Sequence, residues 1–187
     1  MTTTKEPIFT IGYGARTLDE FIAILKRHGI DFLIDIRSAP YSRYKPEFSR
    51  LPLEEALRRR GIRYIYMGDT LGGQPDDRDC YVNGKVSYER IKEKPFFQQG
   101  ISRIRMAFER QQRVVLMCSE GKPENCHRSK LIGVVLDELG IPVVHIDEND
   151  KLTPQEKIIH RLTRGQLELF GESPTFTSRK RYEKKQK

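Results

Sequence analysis

The sequence predicts a single α/β domain, with a mainly parallel sheet of about five strands covered by helices on both faces. Three observations carry that prediction. Short apolar runs of strand length alternate with amphipathic stretches, and βαβα alternation suits a parallel sheet with right-handed crossovers. A chain of 187 residues is long enough to bury one substantial core. No internal repeat or composition break marks a second unit, so residues 1–178 read as one domain.

The strands are predicted at IFTIG (8–12), FLIDI (32–36), YIYM (64–67), VVLMC (114–118) and VVHI (143–146), all rich in β-branched or aromatic residues. Between the first two, TLDEFIAILKRHG reads as a helix. Thr17 and Glu20 form a capping box, Leu18, Phe21, Ile22 and Leu25 share an apolar face, and Gly29 suits the stop. LPLEEALRRRG repeats that logic, with Pro52 in the first turn and Gly61 after the last. Residues 68–86 read as one long irregular stretch, a substrate loop or lid, or a plain surface excursion. Behind Pro95, Phe97, Ile101, Ile104 and Phe108 recur at helical spacing, as do Leu131, Ile132, Val135 and Leu139 further on. A last helix is predicted from a capping box at Thr153 and Glu156.

The formal net charge is +8. The segment 179–187, RKRYEKKQK, holds +5 of it and reads as a basic, disordered tail attracted to phosphate polymers. The N-terminus lacks the pattern of a secretory signal, and no apolar run is long enough to span a bilayer. Three cysteines, Cys80, Cys118 and Cys126, form no extracellular disulfide framework, so the expected compartment is the cytoplasm.

In open parallel sheets, ligands bind outside the carboxyl ends of strands. Those ends here carry Gly12-Tyr13-Gly14, then Asp35, Arg37 and Ser38, then Gly72-Gly73, then Cys118-Ser-Glu120. The first of these is not a dinucleotide fingerprint, because Thr17 stands where its third glycine belongs. It still lets a ligand approach the backbone. Asp35 and Arg37 share a strand face, as a structural ion pair or as substrate contacts.

The loop CSEGKPENCHR (118–128) joins a strand to a helix. A helix start offers free N–H groups and a dipole that favours anions and lowers a nearby thiol's pKa. Arg128 adds a planar cation suited to phosphate. Cys118 reads as a reactive thiol or as a small core residue, and a Cys118–Cys126 disulfide is an open alternative. Zinc held by Cys80, Cys118, Cys126 and His127 is a weak reading. The C-x2-C spacing is absent, and adjacent Cys and His rarely point at one metal.

The stretches IFTIGYGARTLDEFIAILKRHGID, LIDIRSAPYSRYKPEFSR, LGG and LMCSEGKPENCHRSKLIG together resemble the family known as domain of unknown function 488, over roughly residues 8–146. The resemblance implies a compact α/β domain and supplies no reaction. A fainter likeness is to rhodaneses and cysteine phosphatases, which also run strand–Cys–loop–Arg–helix. Those enzymes place about five residues between Cys and Arg, whereas residues 119–127 separate Cys118 from Arg128 here, with Glu120 among them to repel an anion.

In RSAPYSRYKPEFSR (37–50), Arg37, Arg43, Lys45 and Arg50 interleave with Tyr41, Tyr44 and Phe48. Basic groups track phosphates and aromatics stack on bases, while half-buried packing is the plainer reading. The expectation is therefore an enzyme acting on a nucleic acid or nucleotide-like anion, with Cys118 as its thiol. Substrate contacts are expected from Gly12, Tyr13, Gly14, Arg37, Ser38, Tyr41, Arg43, Tyr44, Gly72, Gly73, Cys126, His127 and Arg128. Base excision or another hydrolysis by Asp35 or Glu120 is the second reading. A non-catalytic nucleic-acid-binding module and persulfide transfer follow. No metal or cofactor is assigned, no membrane partner is expected, and the oligomeric state is open.

Overall fold

A computed structural model describes residues 5–165 and 175–182. Its centre is a six-stranded sheet of order β3-β2-β6-β1-β7-β8. The strands are β1 (Ile8–Gly12), β2 (Phe32–Asp35), β3 (Arg63–Tyr66), β6 (Val114–Cys118), β7 (Val143–Ile146) and β8 (Leu152–Pro154). The first five run parallel, and β8 pairs antiparallel with β7 at one edge.

Among the described residues, seven α-helices connect them: α1 (Leu18–Arg27), α2 (Arg50–Arg58), α3 (Gly68–Leu71), α4 (Tyr88–Lys92), α5 (Pro95–Glu109), α6 (Val134–Glu138) and α7 (Gln155–Thr163). A small hairpin, β4 (Tyr81–Val82) with β5 (Lys85–Val86), stands apart from the sheet. The stretch 68–86 is therefore less irregular than its composition suggests, holding α3, a 3-10 turn and this hairpin.

Alternation along the strands builds two cores. On one face, Ile8, Ile34, Leu116 and Cys118 pack with Ile101, Ile104, Leu131 and Leu136. On the other, Phe9, Ile11, Leu33, Val115 and Met117 pack with Phe21, Leu25, Leu53 and Leu57. Burial on both faces is what makes the strands nearly continuous apolar runs.

Local signals behave as their chemistry dictates at α1. The Glu20 N–H donates to Thr17 Oγ1 at 3.3 Å and the Thr17 N–H to Glu20 Oε2 at 2.8 Å. Gly29, at φ +61°, turns the chain out of the helix. The box expected at Thr153 does not form. Thr153 belongs to β8, and α7 starts at Gln155 without a side-chain cap. Pairing of β8 with β7 has overridden the local signal. The helix after the cysteine loop also departs from expectation, because Arg128–Gly133 form a π-helical turn before α6.

A buried polar chain crosses the first core beside that turn. The Ser129 carbonyl can only accept, so Gln155 Nε2 donates to it at 2.9 Å and Gln155 Oε1 faces His145 Nε2 at 2.6 Å. His145 Nε2 therefore carries the proton, and Nδ1 accepts from the Thr10 hydroxyl at 2.6 Å. Burial pushes the His145 pKa from 6.5 down to about 4. Between those values the unfolded chain binds a proton that the folded chain refuses, so stability is complete above 6.5 and is lost as the pH falls towards 4. A loss of about 3 kcal/mol is expected over that window, read from urea midpoints. His145→Gln should flatten the slope there; an unchanged slope would remove His145 from the account.

Candidate functional site

The chain leaves β1 to build β2 and β3 on one side, and crosses back from β6 to build β7 and β8 on the other. The carboxyl ends of β2, β6 and β1 lie together at this reversal, where open α/β sheets form a crevice. A cavity of about 300 Å³ sits there. Tyr13 comes from β1, Arg37, Ser38, Ala39 and Tyr41 from β2 and its loop, Gly73 and Gln74 from the loop after α3, and Cys118, Ser119, Glu120, Asn125, Cys126 and His127 from the loop after β6. Tyr88 of α4 with Ser178, Arg179, Lys180 and Tyr182 completes the wall.

Asp35 is fully buried and saturated. It accepts from Arg37 Nε at 2.8 Å, Arg37 Nη2 at 2.5 Å, the Arg37 backbone N–H at 3.1 Å and the Tyr64 hydroxyl at 2.6 Å. Burial and the neighbouring carboxylate push the Tyr64 hydroxyl up, which keeps it a donor. A carboxylate so held has no geometry for activating water, so Asp35 is a positioning group for Arg37 rather than the hydrolytic base expected above. Burial alone would lower the Arg37 pKa, but Asp35 overrides it and the guanidinium is raised. Its Nη1 is buried without a partner among the described residues. The guanidinium also lies 5.5 Å from the centre of the Tyr13 ring, and that ring stacks at 4.4 Å on Phe48.

Arg128 differs from expectation. It is 0% exposed and does not line the cavity. Its Nη1 donates to the Glu120 carbonyl at 2.6 Å and its Nη2 to the Gly121 carbonyl at 2.7 Å, clamping the loop's first turn to its end. The helix start is occupied as well: the Arg128 N–H donates to Cys126 Sγ at 3.5 Å, and the Ser129 and Lys130 N–H groups to the Cys126 carbonyl at 3.4 and 3.3 Å. The anion cradle of Arg128 and free N–H groups is therefore absent, and with it the main feature shared with rhodanese and phosphatase loops.

The glycines have nearer neighbours than a ligand. A side chain at Gly12 would collide with the Glu120 carbonyl and the Arg128 guanidinium, and one at Gly72 with Ser38. Gly73 lies against the His127 ring, and Gly14, at φ +48°, against Gly121. These positions let the loops pack on one another. Tyr44 is 92% exposed, and neither it nor Arg43 lines the cavity, whereas Tyr41, at 71%, does. Phe48 is core.

The sulfur groups do converge. Cys118, Cys126 and His127 are buried with their ligand atoms within 4.8 Å of one another, and all three cysteines are unpaired. His127 Nδ1 lies 3.7 Å from Cys126 Sγ and 4.0 Å from Cys118 Sγ. His127 Nε2 donates to the Ile36 carbonyl at 3.2 Å, which turns Nδ1 towards the sulfurs. The Cys126 thiol and the His127 ring hold the Cys118 thiol well below its usual range against burial; burial first, then Cys118, pushes the Cys126 thiol up. Cys80 lies in the core outside this cluster.

Residues 178–182 were missed as site residues, because a basic run beside the terminus reads as solvated. In the fold, the Ser178 N–H donates to the Val86 carbonyl at 2.9 Å and the Tyr182 N–H to the Gly84 carbonyl at 2.7 Å, fastening the segment to the hairpin. Arg179 pairs with Glu120 at 3.3 Å. Arg179–Tyr182 are thus placed against the body, and 183–187, the rest of the segment read as a tail, lie outside the described residues. Phe176 and Tyr182, two aromatics that bracket the basic Arg179-Lys180-Arg181 run and pack on the core, were the available signal.

Fold and site together define an open α/β protein with a cavity at the strand reversal, floored by a Cys₂His cluster. The chain belongs to the family described as domain of unknown function DUF488, whose model matches residues 17–135 and so includes the cluster, Asp35 and Arg37. No match was found among curated proteins or among solved structures. No described helix is long and apolar enough to cross a membrane.

Proposed function

We propose that this protein is an enzyme acting on a nucleic acid or nucleotide-like anion held in the cavity, with the Cys118–Cys126–His127 cluster supplying the chemistry. The observation that carries the reading is Arg37. Asp35 fixes the guanidinium from one side while Nη1 is left without a partner among the described residues, in a side chain that lines the cavity. Buried donors are almost always satisfied, and a phosphate oxygen satisfies this one with a charge-assisted bond. Arg179 and Lys180 add cationic wall, and the exposed ring of Tyr41 offers a face for a base.

Retention of short DNA and RNA oligonucleotides at low salt, falling steeply as salt rises, is the expected result. A chain ending at Ser178 should bind more weakly, since Arg179, Lys180 and Tyr182 line the cavity. Arg37→Lys keeps a cation beside Asp35 but loses the planar fork, and should cost about 1.5–3 kcal/mol of affinity. No retention even at low salt, by oligonucleotides or by mononucleotides, would remove this substrate class.

A further inference from the structure

We propose that Cys118, Cys126 and His127 form a three-ligand site for a zinc-class divalent ion, with its fourth position open to the cavity. The spacing argument against it, that adjacent Cys and His point apart, fails on the backbone. Cys126 is extended at φ −118°, ψ 150°, while His127 is helical at φ −64°, ψ −18°, and the break turns both side chains to one centre. β6 delivers Cys118 to the same point.

A tetrahedral ion bonded to two sulfurs and an imidazole holds its ligand atoms about 3.5–3.8 Å apart. The His127 Nδ1 distances of 3.7 and 4.0 Å lie close to that range before any ion draws them in. The surroundings are those of ligands. The Ile36 carbonyl holds the imidazole with Nδ1 facing both sulfurs, and the Cys126 sulfur receives the Arg128 backbone N–H at 3.5 Å. Two thiolates and a neutral imidazole select a borderline-soft ion over magnesium or calcium. Structural zinc sites close with a fourth protein ligand. Among the described residues the cluster stops at three, all of which line the cavity, so the remaining position faces solvent and substrate.

This inference rests on the proposed site and gives its cysteines the role of ligands rather than attacking groups. The test is titration of the reduced full chain with Co²⁺. One equivalent per chain should give thiolate-to-cobalt charge transfer and the visible bands of tetrahedral cobalt, both abolished by excess Zn²⁺. Cys118→Ser, Cys126→Ser and His127→Gln should each lose the charge-transfer signal, and Cys80→Ala should keep it. Wild-type protein with reduced thiols and no charge transfer overturns the site, whatever the variants do; so does an undiminished signal in a folded Cys118→Ser or Cys126→Ser. Oligonucleotide retention by the metal-free chain, measured in parallel, separates the two proposals. Retention without a cobalt signal removes the metal alone, and a cobalt signal without retention removes the nucleic-acid reading alone.

Discussion

Arg128→Ala is expected to lower the free energy of unfolding by about 3–5 kcal/mol, one of the largest effects of any single substitution in this chain. Two charge-assisted bonds to the Glu120 and Gly121 carbonyls disappear, and both carbonyls are left without their donor. A fully buried side chain is also removed. Arg128→Lys should recover little, because an ammonium cannot span two carbonyls as the planar fork does. Urea midpoints of the three proteins, at unchanged m, give the measurement. Because Arg128 does not line the cavity, whatever protein remains folded should keep most of its oligonucleotide retention. A large affinity loss with near-normal stability would return Arg128 to the anion site.

The second large effect is at Asp35. Asp35→Asn leaves the buried Arg37 guanidinium without a counter-charge, and breaking a buried pair from one side costs about 3–5 kcal/mol. Tyr64→Phe removes one neutral donor to the same carboxylate and should cost only about 1 kcal/mol. The double variant Asp35→Asn/Arg37→Met should be more stable than Asp35→Asn alone, since it removes the orphaned cation. If Asp35→Asn is as stable as wild type, the pair does not hold this strand end together.

Much of the scaffold was legible because it is built from local periodicity. β1, β6 and β7 fall on the predicted runs, and the helices at Thr17, Pro52 and Pro95 follow their caps and apolar faces. β8 was not legible: three residues of edge strand carry no pattern of their own and exist because β7 offers open carbonyls and N–H groups. α4 and the β4–β5 hairpin were hidden for the same reason, being too short for a period to show.

At the site, residue types pointed to the right loops but not to the right directions. Asp35 and Arg37 were recognised as sharing a face, yet only the fold shows that Tyr64 completes the pair and that Nη1 remains. Arg128, named for an anion, binds carbonyls instead, because the loop's first turn folds back over Gly12 and brings two acceptors to it. The adjacent Cys126 and His127 look divergent in sequence and converge in space, since a change from extended to helical backbone falls between them.

The sequence by itself determined the α/β class, the parallel strands, and the gathering of polar and sulfur-bearing residues at their carboxyl ends, because strand and helix periods and strand-end chemistry are properties of neighbouring residues. Only the tertiary structure decided which arginines line the cavity, which carboxylate is sealed, and that Arg179, Lys180 and Tyr182 form a wall. Those outcomes depend on hydrogen-bond partners separated by tens of residues, and a buried donor is satisfied by whichever acceptor the packing brings to it.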